Sequence, residues 1–170
     1  MYTREKSSAG VERGNALHHL MEALDFEKCR SKSEIISQAE ELYTSGKLKA
    51  EEKELVDMRE VVRFFESEIG ELLKTCDKVE KEKQFAALFD TESLVSLAGD
   101  SMVVNGIIDL LIFKGDEIII VDYKSDRVYG DAKDAALKHI DQINIYSEAA
   151  EKMYGKKVAA RYIYLFSIGK

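Results

Sequence analysis

The sequence predicts an α/β domain built around a mixed central sheet flanked by helices, and three observations carry that reading. Apolar residues recur at helical spacing through roughly the first 75 positions, and from residue 79 the repeat shortens to two. Two nearly unbroken apolar runs, "GIIDLLIF" and "EIIIVDY", are separated only by the turn-like "KGDE". A long helical stretch then parts these strands from a last one, "KVAARYIYLF", as an α/β crossover does.

Composition sets the outer bounds. A chain of 170 residues is one domain of ordinary size, long enough to close a hydrophobic core. With 45% apolar and 34% charged residues it has a globular, water-facing profile. No apolar run reaches the ~20 residues that a membrane helix needs. The opening "MYTREKSSAG" lacks the oily core of a secretory signal. The expectation is therefore a cytoplasmic location and no membrane partner. Cys29 and Cys76 are expected to be reduced thiols, and two cysteines cannot build a four-cysteine zinc or iron–sulfur site. A net charge of −7 argues against gripping nucleic acid by bulk charge, while leaving room for a local basic groove or for catalytic carboxylates.

Within "VERGNALHHLMEALDF" (11–26), Leu17, Leu20, Met21 and Leu24 follow the spacing of an amphipathic helix. Residues 31–75 read as a helical insertion. Ser31 and Glu34 offer a capping box, "TSGK" (44–47) breaks the run, and the sequence after residue 50 resumes it. Phe85, Ala87 and Phe89 alternate as on a half-buried strand. A helix is expected over 131–155, with Gly155 placed to end it, and a final strand over 157–166. The whole, residues 1–170, reads as a single domain carrying that insertion.

Asp109 and Asp122 interrupt the two oily strands. If Gly115 and Asp116 form the tip of a two-residue hairpin, Lys114 faces Glu117, and the same register opposes Asp109 to Asp122. The two-residue period then puts Lys124 on their face and Tyr123 on the other. Two opposed carboxylates in an apolar sheet repel each other and lose hydration. Protonation, a neutralising lysine or a divalent cation would each remedy this, so a structural Asp–Lys–Asp cluster and a metal site both remain open at this point.

Three further positions invite chemistry. His18 lies beside the apolar stripe of the first helix, with Gly14 one turn earlier leaving room for close approach, whereas His19 faces elsewhere. A hydrogen-bonded boundary histidine is the plainer reading of His18. Gln142 and Tyr146, one helical turn apart, share a face near His139 and can bind phosphate or simply edge a packed helix.

Taken in order, "RGNALHHLME", "KEKQF", "GIIDLLI", "IIVDYKSD" and "QINIYSEAAE" resemble the motifs of the RecB-type nuclease domain of the PD-(D/E)XK superfamily, found at the C-terminal end of AddA- and RecB-type helicase–nucleases. The resemblance runs from about residue 10 to the end, and the helical insertion is its least specific part. It implies a restriction-endonuclease-like fold. It makes Asp109 and Asp122 metal ligands, Lys124 the catalytic lysine, and His18 and the Tyr123 backbone carbonyl additional ligands. Gln142 and Tyr146 match a "QxxxY" motif bordering the DNA site, and Glu82 is the retained acid of an "E-x-P-F" strand. The chain departs from that pattern at Gln84, where a proline is usual, and at His139, where a tyrosine is common.

The implied activity is Mg²⁺-dependent hydrolysis of DNA, with Mn²⁺ able to substitute and no iron–sulfur cluster, in double-strand break repair and recombination. The implied partners are DNA ends, a helicase motor in the same parent chain and a second nuclease or helicase subunit. No "GxxxxGK[ST]" loop occurs, so the motor would lie outside these 170 residues. The competing expectation is a catalytically silent module that keeps the nuclease fold for DNA-end binding or protein docking.

Overall fold

A computed structural model describes residues 8–90 and 101–170. The chain divides into two compact units. One is helical and comprises the chain up to Cys76 together with Tyr123–Leu137 and Ile163–Lys170; the other, Asp77–Asp122 with Lys138–Tyr162, holds most of the sheet.

The helical unit contains α1 (Ser8–Ala23), α2 (Lys32–Thr44), α3 (Ala50–Lys53), α4 (Met58–Phe65), α5 (Glu68–Thr75) and α6 (Ala132–Leu137). The stripe expected on α1 is its buried face, with Leu17, Leu20 and Met21 at most 2% exposed and Leu24 sealed just beyond the helix end. Ser31 caps α2 by accepting the Glu34 N–H, and its hydroxyl donates to the Glu34 carboxylate at 2.8 Å. Gly46, with φ 73°, breaks the run where "TSGK" foretold. The core centres on Phe64, fully buried, whose ring meets those of Phe65, Tyr123, Tyr164 and Phe166 at 5.0–5.6 Å between centroids.

The sheet runs in the order β1 (Lys78–Asp90), β2 (Ser101–Lys114), β3 (Glu117–Lys124), β4 (Lys157–Leu165). The β2–β3 hairpin turns at Gly115, φ 58°, and its register runs from Lys114↔Glu117 to Leu110↔Val121, as the turn sequence implied. Phe85, Ala87 and Phe89 are buried while Gln84, Ala86 and Leu88 are exposed, so β1 is half-buried as expected. Helix α7 (Ile140–Tyr154) packs on β1, with Tyr146 edge-on to Phe85 at 5.7 Å, and ends at Gly155 in the left-handed region. The result is a mixed α/β architecture consistent with the restriction-endonuclease-like fold.

Three readings differ from expectation, and the first is that the run resuming after residue 50 is three helices, α3, α4 and α5, with Asp57 and Ser67 as the N-caps of the last two. The first helix stops at Ala23, and Asp25 instead caps a short 3-10 turn over Phe26–Lys28. The single helix expected over 131–155 is two. His139, at φ −112° and ψ 7°, leaves the helical region and starts α7 as its N-cap. Among the described residues, no helix is long and apolar enough to cross a membrane.

Candidate metal centre

The chemistry of the sheet unit gathers where β1, β2 and β3 run side by side. Asp109 is 7% exposed and Asp122 1%, and among the described residues they are the buried charged side chains. The β2–β3 ladder is registered down to Leu110↔Val121, one step short of these aspartates. Burying a carboxylate without a compensating charge costs several kcal/mol, so such a pair needs a reason to exist.

Glu82 adds a third carboxylate. The β1–β2 register pairs Lys81 with Leu110 and Lys83 with Ile108, and omits Glu82 and Asp109 between them. Glu82 takes φ 47°, the one non-glycine residue with positive φ among those described. The strand is turned at this point. Glu80 and Lys83, which would face opposite ways on a regular strand, form an ion pair at 3.2 Å. In consequence a Glu82 oxygen and an Asp109 oxygen lie within 4.8 Å of each other.

Helix α7 reaches the same cluster. Gln142 donates a 2.6 Å hydrogen bond to the Tyr146 hydroxyl, so the two side chains do share a face. Burial pushes the Tyr146 phenol above its usual range, and the charges of Asp122, Asp109 and Glu82 push it further, against the opposing hydrogen bond from Gln142. The phenol therefore keeps its proton and sits in the field of all three acids. Gly106 makes this packing possible, because a Cβ there would stand 2.7 Å from the Phe85 ring and 3.5 Å from that of Tyr146.

The donor set fits a hard divalent cation. Mg²⁺ binds oxygen at about 2.1 Å, so ligands on opposite sides of it lie about 4.2 Å apart, within the spacing bound of Glu82 and Asp109. A shared cation would also relieve the repulsion that crowded carboxylates otherwise suffer.

In the helical unit, α1 clamps the end of β3. The His18 ring meets Tyr123 edge-on at 5.7 Å. Arg13 donates to the Ser125 carbonyl and pairs with Glu60, and Gly14 faces Ser125 so closely that a Cβ would stand 2.9 Å from its Oγ. The Phe166 N–H donates to the Lys124 carbonyl at 3.0 Å, fixing the backbone that carries the ammonium. His19 faces elsewhere and binds Glu52 at 2.9 Å.

Thus Glu82, Asp109, Asp122, Gln142 and Tyr146 belong to the sheet unit, and His18, Tyr123 and Lys124 to the helical one, with Asp122 and Tyr123 consecutive on β3. Sequence reasoning missed Arg13 and Ser125, whose signal was the "RG" pair one turn before His18. It also had no means of seeing the left-handed backbone of Glu82.

The sequence matches the PD-(D/E)XK nuclease superfamily over residues 2–169. The A subunit of the ATP-dependent helicase/nuclease of Desulforamulus reducens is 33% identical over 171 residues, covering 98% of this chain and 14% of that protein. Its counterpart from Carboxydothermus hydrogenoformans is 31% identical, covering 95% and 14%, and that of Clostridium kluyveri 33%, covering 92% and 13%. The chain thus spans about one seventh of the length of the curated relatives it matches. A match over almost every residue, on a mixed sheet with acids crowded at its centre, establishes that the chain belongs to the PD-(D/E)XK nuclease superfamily.

Proposed function

We propose that the chain is the DNA-cleaving domain of a helicase–nuclease that processes broken DNA ends in repair and recombination. The observation that carries this reading is the crowding of carboxylates in the sheet, with Asp109 and Asp122 buried and oxygens of Glu82 and Asp109 within 4.8 Å of each other. Asp109, Asp122 and Glu82 would hold Mg²⁺, or Mn²⁺ in its place, with His18 and the Tyr123 carbonyl added by the family resemblance. A cation so held polarises a phosphoryl oxygen and lowers the pKa of a bound water.

The chain's own residues do the rest. Lys124, with its backbone tied to Phe166, supplies a compact positive charge that orients the attacking water and offsets charge developing on the phosphorus oxygens. Tyr146 retains its proton, and with the Gln142 amide it forms a neutral polar edge toward the substrate phosphates. The partners proposed are a second nuclease or helicase subunit and a helicase motor in the same parent chain. Because a domain of net charge −7 does not draw DNA by long-range attraction, the motor would feed the strand in. Alone, the domain should cut slowly and with strong salt dependence.

Cleavage of end-labelled linear single- and double-stranded DNA, with Mg²⁺ or Mn²⁺ against chelator, tests the proposal. Asp122→Ala and Lys124→Ala should each abolish the products. Cleavage that persists unchanged in either variant would contradict the assignment.

A further inference from the structure

The loop that follows Lys124 carries two side chains for which the cleavage chemistry has no use. Tyr129 is 79% exposed, and Arg127 is exposed beside it. This exposure is not looseness. Ser167 Oγ donates to the Asp126 carbonyl at 2.9 Å and accepts the Val128 N–H at 3.3 Å, so the backbone is tied on both sides of Arg127. Immediately after the tyrosine, Gly130 turns the chain at φ 112°, a conformation that side-chain-bearing residues rarely adopt.

The loop rims a groove in the helical unit whose acids are already matched. Glu60 pairs with Arg13, and Asp57 pairs with Arg59 at 2.7 Å. Among the described residues, no carboxylate pairs with Arg127. A braced loop therefore presents a bare aromatic ring and an uncompensated guanidinium together.

We infer that Tyr129 and Arg127 form a landing platform for an unpaired DNA strand, with the phenol ring stacking on a base and the guanidinium meeting a neighbouring phosphate. Every base has a π-face, so such a platform is tolerant of sequence, and arginine adds the planar cation that phosphate prefers. Five residues of chain span at most about 18 Å between the backbones of Lys124 and Tyr129, so both side chains can meet one short stretch of strand. The segment around it, Asp126, Arg127, Val128, Tyr129, Gly130 and Asp131, has Val128 as its one aliphatic side chain, so no apolar patch surrounds the ring in sequence.

The inference rests on the nuclease reading, and the test separates the two. Binding of fluorescein-labelled oligo-dT to the 170-residue chain is measured without divalent cation at fixed salt, for wild type, Tyr129→Ala, Tyr129→Phe and Arg127→Ala. Tyr129→Ala should bind about tenfold more weakly, Tyr129→Phe within about twofold of wild type, and Arg127→Ala should lower the salt slope by about one. A strand carrying 2-aminopurine should lose its fluorescence on wild type and keep it on Tyr129→Ala. Unfolding midpoints should not move, since both side chains are exposed. If wild type cuts DNA yet Tyr129→Ala binds single strands equally well, or blunt duplex binding falls as much as single-strand binding, the platform is wrong and the nuclease stands. If wild type neither binds nor cuts, both fail.

Discussion

Glu82 and Asp109 occupy matching positions on β1 and β2, yet the ladder between the strands skips them and Glu82 is held in the left-handed region at φ 47°. A non-glycine residue there costs about 1–3 kcal/mol, and it persists where the surroundings demand it. Glu82→Gly should therefore lose no thermal stability and should gain a few degrees, at about 2–4 °C per kcal/mol for a chain of this size. The same change should weaken Mn²⁺ binding at least tenfold by calorimetry. A stability loss with intact metal affinity would mean that Glu82 is a fold residue only.

Lys124 and Asp109 should separate cleavage from metal capture. Lys124→Met should abolish cleavage and leave Mn²⁺ binding within a few-fold of wild type, because an ammonium is not a ligand. Asp109→Ala should remove both. Parallel calorimetry and gel assays check this, and equal loss of metal in the two variants would contradict the roles proposed.

Gly106 sits where a side chain cannot. A Cβ at that position would stand 2.7 Å from the buried Phe85 ring, so Gly106→Ala should destabilise by about 1–3 kcal/mol and lower the melting midpoint by several degrees. The displaced Phe85 should carry Tyr146 with it, and cleavage should fall along with stability.

Gly14 and Ser125 form a pair that a double mutant can test. Gly14→Ala presses on Ser125 Oγ, beside Lys124, and should slow cleavage several-fold with little change in midpoint. Ser125→Ala removes the obstructing atom, so the combined variant should recover most of the rate. Additive losses would show that Gly14 matters for some other reason.

Glu80 gives a pH signature. Burial would raise its carboxyl, but hydrogen bonds from Lys78, Tyr154 and Lys83 outweigh that and bring it down from 4.5 to about 2. A group depressed in the folded state stabilises fully above its unfolded pKa and loses that contribution as pH falls through the folded value. Wild type should thus lose its stability margin over Glu80→Gln between about pH 4.5 and pH 2, with a constant margin above pH 5. Denaturant melts across that range check it.

Much of this was legible in the residues. The hairpin register followed from "KGDE", because a two-residue turn leaves a strand pair no freedom to slip. The α1 stripe, the half-buried β1 and the Gln142–Tyr146 pair followed from periodicity alone. What escaped depends on contacts made far along the chain. The helix breaks at His139 and the backbone turns left-handed at Glu82, though neither position holds a glycine or a proline. The grip of Arg13 on Ser125 spans 112 positions. None of these leaves a local signal.

The most direct measurement is a crystal soaked in Mn²⁺ with anomalous data collected. We expect a single strong peak, or two, bound by oxygens of Glu82, Asp109 and Asp122. Well-ordered aspartates with no peak between them, or a peak bound by other residues, would contradict the metal centre and the cleavage chemistry built on it.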